Sequence, residues 1–226
     1  MELIDYKTGN MTRYISVHEL NKIINTRLSM YNATNKRIHL RDAFIFSFLF
    51  FSGLRLSEFL LTQVKCIDFE NKELFAPQLK RDYWRKELKK KKLVDVDYMT
   101  PLERHSLNLT KYVKIPLNYT PNEHLKLWKL YFEKFALSDD DKLVSVSASA
   151  IQKRVSKISY DVLRTHHSPH DLRHSCGVYL YHVVGLDLLD VQAILRHAHL
   201  GNTEIYARLS MRDVKNKIEQ KIELMM

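Results

Sequence analysis

The stretch "AFIFSFLFFSGL", Ala43 to Leu54, does most to limit what this chain can fold into. Its residues are apolar around every side of a helix, so its whole surface must be covered. A run of this length falls well short of the ~20 residues that cross a bilayer. The covering therefore has to come from the rest of the chain, and His39 to Phe51 reads as a buried core helix that Gly53 breaks.

Candidate partners for that helix follow in order. "SVHELNKIINTRL" opens with Ser16 and has Glu19 three positions later, a capping-box pattern that starts a helix. "LRLSEFLLT" begins another helix after Gly53. "CIDFENKELFAPQL" has strand character around a turn at Glu70, Asn71 and Lys72, and "KYVKIPL" reads as a returning strand. Between the strands lies a long polar excursion, Arg81 to Thr110; loops of that length are uncommon unless functional or mobile. "PNEHLKLWKLYFEKFAL" and "SASAIQKRVSKISYDVL" are amphipathic helices. A histidine-rich helix starts near His170, "LDLLDVQAILRHA" is helical, and the tail "MRDVKNKIEQKIELMM" carries a Val214, Ile218, Ile222 stripe. The opening "MELIDYKTGNMT" reads as a loose lead-in. Only 5 Gly and 5 Pro in 226 residues favour long elements over many tight turns. The expected fold class is mainly α with a small antiparallel β-sheet, built as one domain over 1–226.

Charge narrows the partner. Lys and Arg number 36 against 26 Asp and Glu, a net +10 that suits nucleic acid or another anionic surface. "RDYWRKELKKKK" concentrates it: Arg81, Arg85, Lys89, Lys90, Lys91 and Lys92 are candidates for contact with DNA phosphates. Cys66 and Cys176 form no CxxC pattern, which argues for reduced thiols in a cytoplasmic setting and against a disulfide framework or zinc site. No secretory leader pattern and no membrane span is expected.

Three separated clusters share one chemistry. "SGLRLSE" carries Arg55, "SPHDLRHS" carries His170 and Arg173, and "LRHAHLGNTEIYARL" carries His197 and Tyr206. Arginines, histidines and a tyrosine are a poor ligand set for a metal, but a good one for phosphate. Arginine offers forked donors whose charge cannot be titrated away. A phenol oxygen can attack phosphorus, and histidine can share protons near neutral pH.

On these residues the sequence resembles the tyrosine recombinases, the phage-integrase family. "SGLRLSE" is similar to their first arginine box, T-G-L-R-x-S-E; "HDLRHS" to H-x-L-R-H; and Leu195 to Tyr206 to L-G-H-x-x-x-x-x-T-x-x-Y, with Arg196 in place of the glycine. The boxes occur in the family's order. The resemblance implies the tyrosine recombinase catalytic-domain fold and a site-specific recombinase. It would cleave and rejoin DNA through a covalent 3′-phosphotyrosine, without cofactor, metal or ATP. By the same resemblance Arg55 and Arg173 would clamp the scissile phosphate. His170 would bind it and assist proton transfer, and His197 would donate to a non-bridging oxygen. Tyr206 would be the nucleophile, and Lys80, or alternatively Lys111, the general acid. Glu58 would support the Arg55 region, and His174 would play a structural part.

The partner implied is double-stranded DNA bearing a specific recombination site, held by four protomers on DNA and by a monomer or weak oligomer without it. Residues 207–226 would dock on a neighbouring subunit. The first box begins at Ser52, so the N-terminal DNA-clamping domain of many members is expected to be absent, whether the chain is naturally short or an excised catalytic half. Rival readings with the same fold are a type IB-like topoisomerase and a non-catalytic DNA-binding regulator. Arg173→Ala is expected to abolish cleavage while leaving the fold intact.

Overall fold

A computed structural model of the 226-residue chain describes residues 2–4, 11–78, 111–197 and 203, with side chains from Arg13 onward except at Gln78 and Lys111. Around the apolar run it shows helix α2, Arg37–Ser52, with Ala43 to Ser52 buried throughout. Helix α1 (Val17–Thr34) and helices α4 (Asn122–Phe135) and α6 (Pro169–Tyr179) pack on it. Aromatic rings fill the contact with α4. Phe44 stacks on Tyr131 at 4.1 Å between centroids, and Phe48 tilts against Trp128 at 4.7 Å. Each fully buried phenylalanine contributes roughly 1.5–3 kcal/mol. The two serines inside the run are satisfied: Ser47 Oγ accepts from Trp128 Nε1 at 2.8 Å and bonds to His124 Nδ1 at 3.0 Å, and Ser52 Oγ accepts from Leu54 N at 3.3 Å.

The α1 capping box forms as its sequence predicts, with Glu19 N donating to Ser16 Oγ and Ser16 N to Glu19 Oε2. Gly53, at φ +56°, ends α2 in the left-handed region where glycine costs least. A link the sequence did not suggest ties three helices together. Buried Asp42 of α2 accepts from Arg27 of α1 at 2.5 Å and from Arg154 Nε of α5 (Ala148–Leu163) at 2.7 Å.

After Gly53 come a single helical turn, α3 (Leu56–Phe59), and a three-stranded antiparallel sheet in the order β3 (Ile67–Asp68), β4 (Glu73–Gln78), β5 (Lys111–Pro116). The expected hairpin is present, with register running from Glu73 opposite Pro116 to Gln78 opposite Lys111. Its period of two buries Leu74, Ala76 and Ile115 and exposes Phe75 and Tyr112. Asp68 Oδ1 accepts from Glu70 N and Asn71 N at 2.9 Å and so holds the turn. The excursion between the strands lies outside the described residues.

The N-terminus departs from expectation. Instead of a loose lead-in and one sheet, β1 (Glu2–Ile4) pairs antiparallel with β2 (Met11–Arg13) as a second, two-stranded sheet. Strands of three residues carry too little pattern to read from sequence and need tertiary support. Here β2 lies beside α6, and Ile15 N donates to buried Ser175 Oγ at 2.7 Å. The last described elements are one wide π-type turn, Leu180–Val184, and helix α7, Leu188–Leu195, capped by Asp187.

Candidate active site

The first box turns at Gly53 and immediately restarts as α3. Arg55 occupies the N-cap, and its backbone N donates to Glu58 Oε2 at 2.9 Å while its Nη1 donates to Glu58 Oε1 at 3.0 Å. Glu58 is fully buried, whereas the Arg55 side chain is 38 % exposed. The arginine is thus anchored at one end and open at the other.

The second box forms the start of α6. Ser168 is the N-cap, Pro169 follows it, and Asp171 completes a capping box with Ser168 N at 2.7 Å. This fixes His170 on the first helical turn, exposed, with its ring 4.4 Å edge-on from that of His174. Arg173 comes one turn later and is 2 % exposed. Its Nη1 donates to the carbonyl of Gly53 and its Nη2 to that of Leu195. One guanidinium therefore joins the first box to the third.

The third box begins where α7 stops. Arg196 adopts φ +55°, ending the helix at the position where the family pattern has glycine. Its side chain folds back to give Nη2 to Glu58 Oε2 at 2.7 Å and Nη1 to Ile194 O at 3.0 Å. His197 Nδ1 lies 3.0 Å from the hydroxyl of fully buried Thr203. Gln192 brackets the His197 backbone, accepting from its N and donating to its O.

These contacts set the protonation states. Burial would push the Glu58 carboxyl up, but the Arg196 and Arg55 guanidiniums and the Arg55 N–H together outweigh it and hold the group below the usual carboxylate range. Burial, then the charges of Arg173 and Arg55, pull His197 down to about 3. Burial and neighbouring His170 take His174 down to about 4. His170, by loss of hydration on its packed side and by the Arg173 charge, also falls below the ordinary histidine value. At neutral pH the positive charge of the cluster resides in its arginines. Burial pushes the Cys176 thiol up to about 12, which suits a core filler.

Arg55, Arg173, His170 and His197 are thus drawn into one neighbourhood by the Gly53–Arg173–Leu195 link and the shared field on His197. Tyr206, Lys80, Arg81, Arg85, Lys89, Lys90, Lys91, Lys92 and the 207–226 tail lie outside the described residues. Of Lys111 the backbone is described, at the start of β5. Sequence reasoning gave no part to Arg196, Thr203 or the Ser168–Asp171 cap. The cap was readable from "SPHD" as Ser, Pro and Asp at capping positions, and Thr203 stood in the matched box. Arg196 stood out in the sequence only as the replacement of a glycine; its partner Glu58, remote in sequence, could not be read from it. One expectation is corrected. Arg173→Ala would strand the two carbonyls it satisfies, at about 1–3 kcal/mol each, so that variant tests the fold as well as the chemistry. Among the described residues, no group of three or more His, Cys, Asp or Glu is placed to hold a metal ion, and no helix is long and apolar enough to cross a membrane.

Comparison with known proteins matches this layout. The sequence model of the phage integrase family covers residues 13–213. Tyrosine recombinase XerC of Escherichia coli O157:H7 is 26% identical over 206 residues, spanning 88% of this chain and 57% of the relative. XerC of Mannheimia succiniciproducens is 26% identical over 218 residues, 93% of this chain and 61% of the relative. The chain therefore spans about three-fifths of the length of these curated relatives. Among solved structures, XerA recombinase superposes with a TM-score of 0.64 at 18% identity over 92% of this chain and 64% of its own. XerH site-specific recombinase bound to difH substrate gives 0.59 at 19% identity over 91% of this chain and 53% of its own. Both carry the same mainly helical fold with its small antiparallel sheet.

Proposed function

Because the chain belongs to the phage integrase family, we propose that it is a site-specific DNA recombinase working through a covalent 3′-phosphotyrosine. The observation that carries this reading is the buried Arg173, whose bonds to the Gly53 and Leu195 carbonyls seat the first and third boxes on either side of the second. Around it stand the half-exposed Arg55, the exposed His170 and the neutral His197, groups suited to a single phosphodiester.

In the proposed cleavage, the Tyr206 oxygen forms a bond to the scissile phosphorus as the bond from phosphorus to the 5′-oxygen breaks. The phenol proton passes toward His170 or solvent, and the leaving oxygen takes a proton from Lys80 or Lys111. The arginines stabilise the charge that grows on the non-bridging oxygens, and such stabilisation is the main source of rate in a transfer of this kind. A neutral His197 has one N–H. If the Thr203 hydroxyl donates to Nδ1, that proton sits on Nε2 and is available to a phosphate oxygen. The phosphotyrosine keeps the energy of the broken bond. The 5′-hydroxyl of a partner strand can then attack it and restore the phosphodiester without ATP.

The partners proposed are double-stranded DNA with a cognate site and three further copies of the chain, the 207–226 segment of each docking on a neighbour. The proposed location is the cytoplasm, where that DNA is. XerH and the Tn1549 integrase have both been solved with DNA bound, which supports the choice of partner. The test is a nicked suicide duplex carrying the cognate site, recovered by sequencing DNA trapped on the protein. An SDS-resistant adduct that disappears in Tyr206→Phe supports the proposal. No adduct from the wild type favours a non-catalytic regulator, and relaxation of supercoils without a paired site favours a topoisomerase.

A further inference from the structure

Arg196 is the residue of the cluster with the least evident reason to be there. As a non-glycine residue at φ +55° it carries a backbone cost of about 1–3 kcal/mol. Its side chain is only 3 % exposed, against 38 % for Arg55, and its Nη1 and Nη2 are given to the Ile194 carbonyl and to Glu58. What it meets is Glu58. That fully buried carboxylate is shared: Oε1 accepts from Arg55 Nη1 at 3.0 Å, and Oε2 accepts from Arg196 Nη2 at 2.7 Å and from the Arg55 backbone N at 2.9 Å.

With glycine at this position, Glu58 and Arg55 would sum to no charge. Oε2, left with the Arg55 backbone N–H alone, would also have a lone pair for a side-on grip that draws the guanidinium down onto α3. With Arg196 present the three side chains sum to one positive charge. Two of them are buried, so the surplus is presented on Arg55. We propose that Arg196 is a positioning residue: it shares Glu58 with Arg55 and so leaves Arg55 half-open, with the surplus positive charge of the three side chains facing the phosphate. This rests on the reading of the cleft as a phosphate-cleaving site.

The test uses R196M, which keeps the bulk, and R196G, which keeps the left-handed backbone without strain and so guards against a folding failure. Single-turnover adduct formation at saturating duplex is expected to fall about 10²-fold in both, with duplex Kd little changed, and R196K is expected to recover part of the loss. In an R55A background, R196M is expected to cost nothing further, because it acts through Arg55. An equal fold-loss in the two backgrounds, or no loss at all, overturns the proposal. A second readout does not depend on activity: the Arg55 Nε–Hε NMR signal should move in R196M and R196G but not in the surface control K157M. If the wild type forms no adduct, the recombinase reading fails and this signal alone decides the role of Arg196. A signal that stays in place overturns the role whatever the activity.

Discussion

At the scale of single residues, the site is held by side chains that spend their hydrogen bonds on protein. Arg173 satisfies two backbone carbonyls from distant segments, so its charge and its structural duty are inseparable in an alanine variant. Urea unfolding should show Arg173→Ala destabilised by about 2–6 kcal/mol, and Arg173→Lys, which keeps the charge and can still donate to one of the carbonyls, by clearly less. Both should be deficient in adduct formation, because an ammonium lacks the fork that spans two acceptors. Thr203→Val keeps shape and loses the hydroxyl 3.0 Å from His197 Nδ1. Adduct formation in that variant should slow about 10- to 100-fold, with the melting temperature moving little. A normal rate would remove Thr203 from the orientation of His197.

At the scale of elements, helix ends place the chemistry. Four of the boxes' key positions are caps: Gly53 closes α2, Arg55 opens α3, Ser168 opens α6 and Arg196 closes α7. A Cβ on Gly53 would come within 2.7 Å of Leu195 Cδ2 and 3.1 Å of Cys176 Sγ, and would sit at positive φ as well. Gly53→Ala should therefore destabilise by about 1–3 kcal/mol and push the first and third boxes apart. Differential scanning calorimetry checks the first effect and adduct rate the second. Ser168→Ala removes the side-chain acceptor for Asp171 N and should cost about 1 kcal/mol. It should also loosen His170, read as a broadened ring signal by NMR. The sheet obeys a different logic: its register is set by the alternation of Leu74, Ala76 and Ile115 inward against Phe75 and Tyr112 outward.

At the scale of the whole molecule, stability should follow pH through the histidines. His124, His167, His170, His174 and His197 all lie below the ordinary histidine value in the folded state, burial being the first cause in each. The unfolded chain binds protons at these groups below about 6.5 and the folded chain resists them, so unfolding is favoured progressively as pH falls. For His174 and His197 the loss continues toward about 4 and about 3. The melting temperature should drop steadily between pH 7 and 5, and His174→Gln should flatten that slope; a flat profile in the wild type would contradict the assigned burial. By itself the sequence determined the buried helix, the capped start of α1, the hairpin strands and the three boxes, because apolar periodicity, capping chemistry and residue type act over a few neighbouring positions. Only the tertiary structure decided that Arg196 meets Glu58, that Arg27 and Arg154 share Asp42, that Arg173 lies buried on the carbonyls of Gly53 and Leu195, and that the first residues form a ladder beside α6. Those pairings join residues far apart in the chain, and which buried charge finds which partner depends on how the helices pack, a property no local pattern of residues encodes.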